Sequence, residues 1–508
     1  MLLPLTGRGN HAVWGGVAAG RRMNDLVFAT AAELAEGIRR RRFGATEVLE
    51  AHLAHIARHN PALNAVVTLD REGARRRARE ADAALARGEL WGPLHGVPFT
   101  IKDAIETAGV RTTSGFTALA DHVPATDAPV VARLRAAGGV LLGKTNVPVL
   151  TGDAQADNPI FGRTNNPWDL KRTPGGSTGG GAAAVAAGLS PLELGSDIGG
   201  SVRIPAHFCG ICTIQPTENS VPLTGHVPGL PGAPRGVRHM SQIGPLARSV
   251  EDLILTLPLI AGPDGQRWEV PPVPLRPASD RTLRSCRFAW TDSFAGVPVS
   301  EETRTALSRF AAQLDDLGAV IEERPLDGFN FTAAWETWGA VFQAEHGSTL
   351  SPEEESQFTA GFGGRLDAED AIYRGFAQAL NASMRQYTSI LTRRDGLIAD
   401  LEAYLGDWDA LLCPVTVGPA FPHCPAGTPI GVDGRAVAYW VGLVSYTCPF
   451  NVTGHPAVVV PLARSREGLP IGLQIVGRRW HDMQLLAIAA VLSSVIGPAP
   501  SPPGYRSG

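Results

Sequence analysis

Cysteine is scarce in this sequence, with six residues among 508. So few cysteines in so long a chain do not form the disulfide framework of small secreted proteins. Cys209 and Cys212 have a CxxC spacing, but a zinc site would need a second pair, and a redox pair would need a thioredoxin-like strand-to-helix context. We therefore expect no metal site and a reducing, cytoplasmic location.

Long apolar runs and a large charge imbalance are also lacking. No stretch approaches the ~18 consecutive apolar residues of a membrane-spanning helix. The formal net charge of −4 argues against nucleic acid or an anionic membrane as the main partner. The arginine clusters at 39–43 and 74–79 fit solvated faces of amphipathic helices. Residues 1–22 lack a signal-peptide core, and we expect a flexible tail or an extension upstream of the true start.

Two common motifs of hydrolases, HExxH and SxxK, are missing as well. The glycine-rich run GGSTGGGAAAVAAG, which begins at Gly175, lacks the lysine of a Walker loop and the spaced glycines of a Rossmann turn. It passes directly into an alanine-rich helical pattern, which argues against a flexible linker. The run therefore frames one serine, Ser177, for a purpose other than phosphate binding.

A second glycine-framed serine, Ser201, follows 24 residues later in SDIGGSVRIPAHFCG. The backbone N–H groups of Ile198, Gly199, Gly200 and Ser201 are able to converge on one oxygen, and the absent glycine side chains let a carbonyl group approach. Donors fixed in this way stabilise a tetrahedral oxyanion by ~3 kcal/mol each. We therefore expect an oxyanion hole here, with Ser201 beside it as a nucleophile.

A serine nucleophile needs a base to take its proton. A lysine serves as that base when burial lowers its pKa, and Lys102 in PFTIKDAI lies at the end of an apolar strand pattern. The alternative is an ordinary exposed lysine, or one paired with the adjacent Asp103. The residue types by themselves leave both interpretations open.

Helical and strand patterns alternate along the chain. A capping box at Thr30 and Glu33 begins the first of them. This alternation predicts an α/β fold, a sheet covered by helices on both faces. The main predicted helices are 46–59, 71–87, 129–137, 180–187 and 303–317, and the predicted strands are 97–101, 139–142 and 286–291.

Several segments occur in the order typical of one family: HGVPFTIKD, GKTNVP, FGRTNNPWD, RTPGGSTGG and GSDIGGSVRIPAHFCG, followed by NVTGHPAVVVPL and GLPIGLQIVGRRWHDMQLL. Together they resemble the amidase signature family over nearly the whole chain from Met23. The resemblance implies a single α/β/α domain over 23–508, built on a large mixed, twisted β-sheet. Its core signature region would span about 95–260.

The same resemblance implies a Ser–Ser–Lys triad, an acyl-enzyme intermediate and no cofactor. Ser201 matches the nucleophile, and Ser177 matches a bridging serine that follows a cis peptide bond. Lys102 matches the base that receives the proton of Ser201 through Ser177. Thr151 falls where family members contact substrate through the backbone. Thr178 stands where the family usually has a second serine, and we expect it at the substrate as well.

Ten aromatic residues lie between Phe329 and Tyr387 in a segment, about 329–405, that varies in the family. They form either a helical core or the wall of an apolar pocket. The second interpretation favours apolar or aryl amides, carbamates (urethanes) or esters as substrates. The residues concerned include Trp335, Trp338, Phe342, Phe358, Phe362, Tyr373 and Phe376.

Two other functions stay open. One is a glutamine-hydrolysing subunit of a tRNA-dependent amidotransferase. The segment CGICTIQPTENSVP speaks against it, because the family tends to have glycine near Thr213, lysine at Gln215 and glycine near Asn219. The other is a non-catalytic binding protein on this scaffold. The leading expectation is an amidohydrolase, monomeric or homodimeric, whose partner is a small-molecule amide, ester or carbamate.

Overall fold

The computed structural model describes residues 23–228, 235–272, 275, 281–326, 328–351, 353 and 370–506. In this part of the chain lie one eleven-stranded sheet and one separate two-stranded hairpin. The expectations for residues 1–22 and for Phe358 and Phe362 fall outside the described residues.

The strands, in chain order, are β1 (Val66–Leu69), β2 (Pro98–Lys102), β3 (Val140–Thr145), β4 (Leu192–Asp197), β5 (Cys212–Gln215), β6 (Gln242–Ala247), β7 (Arg287–Trp290), β8 (Val320–Glu323), β9 (Ala410–Cys413), β10 (Ile430–Val432), β11 (Arg435–Val437), β12 (Ala457–Arg464) and β13 (Pro470–Val476).

The α-helices of the described residues are α1 (Met23–Val27), α2 (Ala31–Arg39), α3 (Ala45–Leu63), α4 (Arg71–Ala86), α5 (Pro129–Ala136), α6 (Gly179–Ala186), α7 (Arg203–Cys209), α8 (Val250–Ile260), α9 (Glu301–Asp316), α10 (Phe331–Gly347), α11 (Ala371–Ala379), α12 (Met384–Tyr404), α13 (Tyr439–Val444), α14 (Cys448–Thr453) and α15 (Asp482–Ile496).

The large sheet is mixed, as expected. Its order is β1-β3-β2-β4-β6-β5-β12-β13-β9-β7-β8. At one end β2 runs parallel to both β3 and β4, and at the other end β7 runs parallel to both β8 and β9. The remaining pairs are antiparallel. Two parallel groups of three strands are thus joined through an antiparallel middle, and β1 adds an antiparallel strand at one edge.

Helices cover both faces of this sheet. Neighbouring residues of a strand point to opposite faces, and here they enter different apolar clusters. Leu412 packs into the cluster that includes α2, α3 and α8, whereas Leu411 packs into the cluster that includes α10 and α12. Phe288 and Ala289 of β7 divide in the same way. Because both faces are buried, inner strands such as β9 and β13 read as apolar runs in the sequence.

The predicted elements are confirmed, with ends shifted by a few residues. The capping box is present, since Thr30 Oγ1 accepts from the Glu33 N–H at 3.1 Å and Glu33 Oε2 accepts from the Thr30 N–H at 2.9 Å. The largest change at a strand is in β3, which continues to Thr145. Its polar end is paired by side chains that are distant in sequence: Thr145 donates to Glu193 at 2.6 Å.

No helix in the described ranges is both long and apolar enough to cross a membrane. No group of three potential metal-ligating side chains is present there either. Cys209 and Cys212 are buried free thiols, and their sulfurs contact different carbonyl groups, those of Pro174 and Arg248.

Candidate active site

Lys102 is the last residue of β2 and lies between the parallel neighbours β3 and β4. The carboxyl ends of parallel strands form the edge where α/β proteins place their sites. The side chain is fully buried, and its Nζ lies 2.6 Å from Ser177 Oγ and 2.9 Å from Ser196 Oγ. Asp103 is not its partner, because that carboxylate accepts from the hydroxyl and N–H of Thr113.

Burial lowers the pKa of Lys102 from its ordinary 10.5 to about 7, because the charged form loses its hydration. The carboxylates of Asp197 and Glu193 act in the opposite direction and raise this pKa. Burial in turn raises the pKa of Glu193 to about 7, so this carboxyl compensates the lysine only weakly. A large neutral fraction of Lys102 is therefore available near neutral pH.

Ser177 lies in the loop that leads into α6, directly after a cis peptide bond between Gly176 and Ser177. The cis bond expected from the resemblance is thus confirmed. The glycines that follow let the helix approach the sheet, since a Cβ atom at Gly180 would lie 2.3 Å from the Asn146 nitrogen. The side chain of Ser177 is almost completely buried and points to Lys102.

Ser201 lies in the sharp turn between β4 and α7 and is partly exposed. Glycine is required in this turn. Gly200 has a φ of 124°, a conformation that side chains disfavour. A Cβ atom at Gly199 would lie 2.6 Å from the Trp338 ring. The sequence DIGGS therefore encodes a turn that only glycines allow in this packing.

Two hydrogen bonds fix the peptide planes of this turn. Trp338 Nε1 donates to the Ile198 carbonyl at 2.7 Å, and Thr447 Oγ1 donates to the Gly199 carbonyl at 2.6 Å. In a trans peptide the N–H points away from the C=O. The first bond therefore turns the Gly199 N–H away from Trp338, and the second turns the Gly200 N–H away from Thr447.

One of the four predicted oxyanion donors is already occupied. The Gly200 N–H donates to Asp197 Oδ1 at 2.8 Å, so the expectation that it binds an oxyanion is corrected. Within the described chain, the N–H groups of Ile198, Gly199 and Ser201 have no protein acceptor. Three donors thus remain for a substrate oxygen.

A fully buried ion pair supports the turn from below. Arg203 donates to Asp197 through Nε at 3.1 Å and through Nη2 at 2.9 Å. Burial would raise the pKa of Asp197, but the Arg203 guanidinium and further hydrogen bonds hold it below its usual value. Arg203 also donates to Gln474 Oε1 at 2.9 Å and to the Thr447 carbonyl at 3.0 Å. Segments far apart in sequence therefore fix the position of Ser201.

We expect Arg203→Met to lower the free energy of unfolding by about 3–5 kcal/mol, because it leaves the Asp197 carboxylate buried without its partner. Urea unfolding followed by fluorescence measures the change. The control is Arg309→Met, which removes an exposed arginine of α9 and should change stability by less than about 0.5 kcal/mol. A loss below about 1 kcal/mol for Arg203→Met would contradict the assigned role of the pair.

Ser177 and Ser201 open onto the same cavity, which has a volume of about 400 Å³ and which Thr151 also lines. No hydrogen bond joins their two hydroxyls in the described part of the chain. Catalytic hydrogen bonds often tighten only when substrate is bound. The structure thus places Lys102 in hydrogen-bond contact with Ser177. It places Ser177 and Ser201 on the same cavity wall, without a hydrogen bond between their hydroxyls.

Thr178 lies in a different place from the one expected. It is fully buried, and its hydroxyl donates to the Ser196 carbonyl at 3.3 Å. Its side chain packs on Gly195, where a Cβ atom would lie 2.5 Å from the threonine methyl group. Thr178 therefore supports β4 beneath the cavity and is not part of the cavity wall.

The aromatic segment fulfils both of the roles considered for it. Trp335, Tyr373 and Phe376 belong to the apolar cluster around α10 and α11. Phe342 lines the cavity, and Trp338 and Phe342 also line a small adjoining hollow beside Ser201. Trp335, Trp338 and Phe342 follow the i, i+3, i+7 spacing of a single helix face, and all three belong to the apolar cluster. The same face of α10 therefore builds the core and closes the site.

Several wall residues were not found by the sequence reasoning. Three of them, His226, Arg235 and Arg267, lie in the proline- and glycine-dense stretch after β5 and in the segment after α8. The others are Glu106 after β2 and His346 and Thr349 at the end of α10. His226 approaches the catalytic centre most closely, because its Nε2 lies 2.7 Å from Ser196 Oγ. A histidine in a turn carries no periodic signal, and only the proximity of its loop to β2 and β4 reveals it.

Comparisons with known proteins agree with this geometry. The chain is 33% identical to an acylamidase of Rhodococcus erythropolis, over 93% of this chain and 96% of that protein. It is 34% identical to a glutamyl-tRNA(Gln) amidotransferase subunit of Moorella thermoacetica, over 92% and 96%. The crystal structure of a bacterial aryl acylamidase of the amidase signature family superposes with a TM-score of 0.78, at 27% identity over 93% and 96%.

The sequence profile of one family, described as amidase, matches residues 47–486. That range contains β2, β4, α6 and α7 and therefore every residue of the site described above. The chain belongs to the amidase family.

Proposed function

We propose that this amidase cleaves the C–N bond of apolar or aryl amides through Ser201, Ser177 and Lys102. One observation carries the proposal: Lys102 is fully buried, donates to no carboxylate among the described residues, and lies 2.6 Å from the Ser177 hydroxyl. A buried amine without a counter-ion at hydrogen-bond distance is suited to accept a proton.

In the first half-reaction the substrate carbonyl lies in the turn after β4. Neutral Lys102 takes the proton of the Ser177 hydroxyl while Ser177 takes the proton of Ser201, and Ser201 Oγ bonds to the carbonyl carbon. The N–H groups of Ile198, Gly199 and Ser201 stabilise the resulting oxyanion. The proton then returns through Ser177 to the amide nitrogen, the C–N bond breaks, and the amine leaves.

The second half-reaction uses the same groups. Water attacks the ester carbon of the acyl-enzyme, and its proton passes through Ser177 to Lys102. When the tetrahedral intermediate collapses, the bond to Ser201 Oγ breaks and Ser201 regains a proton along the same path. The products are a carboxylic acid and a regenerated enzyme. Esters and carbamates follow the same acyl transfer and are included in the proposed substrate range.

The cavity supports the choice of an apolar substrate. Its volume of about 400 Å³ is within the range of small-molecule sites. Leu150, Phe342 and Ile198 are among its apolar lining residues, while charged groups such as Glu106 and Arg267 also line it. The adjoining hollow also contains Asp153, whose carboxylate already accepts a hydrogen bond from the Tyr439 hydroxyl at 2.7 Å. The apolar side chains of Trp338, Phe342 and Trp440 beside Ser201 support an apolar or aryl substituent on the substrate.

The second candidate function is the glutamine-hydrolysing role, which similarity to an amidotransferase favours. Gln215 speaks against it, since the family tends to have lysine there. Gln215 is buried and donates to the His455 carbonyl at 3.1 Å. No charged group from this position reaches the cavity.

A substrate panel tests the choice. We expect kcat/KM for an acyl anilide to exceed that for glutamine by about 10- to 100-fold, because burial of one aryl group contributes about 1.5–3 kcal/mol. An aryl ester and an aryl carbamate complete the panel, and release of amine, phenol or ammonia is measured. A preference for glutamine would establish the second candidate. Equal inactivity on every member would contradict both.

A further inference from the structure

The hydrogen bonds of Lys102 reveal a constraint on the direction of its lone pair. A neutral amine has two N–H bonds and one lone pair, and Lys102 Nζ contacts three oxygens: Ser177 Oγ at 2.6 Å, Ser196 Oγ at 2.9 Å and the Ser196 carbonyl at 3.3 Å. A carbonyl oxygen only accepts. One N–H is therefore committed, and the second N–H and the lone pair are divided between the two serine hydroxyls.

The Ser196 hydroxyl decides this division, and it has only one hydrogen. If that hydrogen points to Lys102, it occupies the lone pair that must accept the proton of Ser177. If it points elsewhere, Ser196 Oγ accepts the second N–H, and the lone pair faces Ser177. The atom that Ser196 meets on its other side is His226 Nε2, at 2.7 Å.

His226 is held in place for this contact. Its main chain forms an antiparallel bridge with Ile105 just beyond β2, and its N–H donates to the Leu223 carbonyl at 3.0 Å. Burial, together with the nearby charges of Lys102 and Arg267, lowers the pKa of His226 to about 3. The ring is therefore neutral and keeps one nitrogen free to accept.

The protonated state of Lys102 determines whether Nδ1 or Nε2 of His226 is the free acceptor. With three N–H bonds the ammonium donates to all three oxygens, so the Ser196 hydroxyl has only His226 Nε2 as its own acceptor. The tautomer with hydrogen on Nδ1 meets this requirement. The positive charge of Lys102 also disfavours a hydrogen on Nε2, because the positive end of that N–H dipole would point towards the ammonium group.

We propose that His226 is a positioning residue: its Nε2 accepts from the Ser196 hydroxyl and so directs the lone pair of the Lys102 amine onto Ser177. The inference rests on the base role of Lys102 proposed above. The charged groups near the hydrogen bonds from His226 to Lys102 are Arg267 and Lys102, which act on His226, and Asp197 and Glu193, which act on Lys102. Glu106 lines the same cavity as His226.

The test compares His226→Leu with His226→Gln on the best anilide substrate. Leucine has no acceptor, and we expect kcat to fall about 10- to 100-fold through misdirection of the base, with little change in KM. Glutamine has an amide oxygen that accepts from the Ser196 hydroxyl. Because this again directs the lone pair of Lys102 onto Ser177, kcat of His226→Gln should stay within about 3-fold of wild type. Thermal unfolding of both variants verifies that they are folded.

Two further readouts distinguish positioning from a direct contact with substrate. In His226→Leu the ammonium form of Lys102 loses the acceptor of its neighbouring hydroxyl, so the acid limb of kcat should move to lower pH. In a Ser196→Ala background no hydroxyl remains to be directed, and His226→Leu should add less than about 2-fold. An undiminished loss in that background, or an equal loss with glutamine, would overturn the proposal. A kcat of Lys102→Ala within about 10-fold of wild type would instead refute the base role of Lys102 in the proposed function.

Discussion

Replacement of Ser201 by alanine is expected to lower kcat/KM on an anilide by at least about 10⁴-fold, the order of loss seen when a catalytic nucleophile is removed. Ser201 is partly exposed in the turn after β4, and the N–H groups of Ile198 and Gly199 beside it have no protein acceptor in the described chain. Without its hydroxyl no acyl-enzyme forms. The remaining N–H donors then stabilise only the oxyanion that direct attack of water on the substrate would produce. Initial rates of aniline release measure the loss.

The matched control is Ser308→Ala, the same change at an exposed serine of α9 whose hydroxyl donates to the Thr305 carbonyl. We expect its kcat/KM to stay within about 2-fold of wild type. A sulfonyl fluoride should modify wild type and Ser308→Ala, but not Ser201→Ala, as read by intact mass. An adduct that persists in Ser201→Ala would assign the nucleophile elsewhere.

Lys102 is expected to determine how activity depends on pH. Burial lowers its pKa to about 7, and only the neutral amine accepts a proton. Activity should therefore rise as pH increases through about 7 and level off above it. We expect Lys102→Ala to lower kcat by about 10²- to 10⁴-fold, the usual contribution of a general base, and to remove this acid limb.

Two variants separate the base from the charge. Lys102→Arg keeps a cation that does not lose its proton at any working pH, and it should be as inactive as Lys102→Ala. Lys171→Ala removes an exposed lysine and should leave both rate and pH profile unchanged. An acid limb that survives in Lys102→Ala would assign the titrating group to another residue, and substantial activity in Lys102→Arg would contradict the base role.

The pairing of Lys102 with Ser177 was predicted from the resemblance to the amidase signature family, since the residue types by themselves left the role of Lys102 open. The local pattern contributed the position of Lys102 at the end of an apolar strand, where burial is expected. The glycines after Ser177 permit a close approach of α6 to the sheet, and those before Ser201 permit the sharp turn. The alternation of strands and helices likewise indicated a sheet covered on both faces.

The occupancy of each hydrogen-bonding group was not predictable in this way. Gly200 belongs to the same glycine pair as Gly199, yet its N–H is taken by Asp197. Thr178 is adjacent to Ser177, yet it packs beneath β4. In both cases the competing partner is chosen by the tertiary packing, and a short motif does not contain that information.

The sequence by itself determined the α/β architecture, because that depends on local periodicity. Its ordered motifs determined the family and, through that resemblance, the serines and lysine expected at the site. Only the tertiary structure decided how protons are arranged around them. His226 reaches Ser196 from a loop 30 residues away, and Thr447 sets the Gly199 peptide from 248 residues away. Such contacts depend on the packing of distant segments, and packing of this kind fixes the direction of each donor and acceptor.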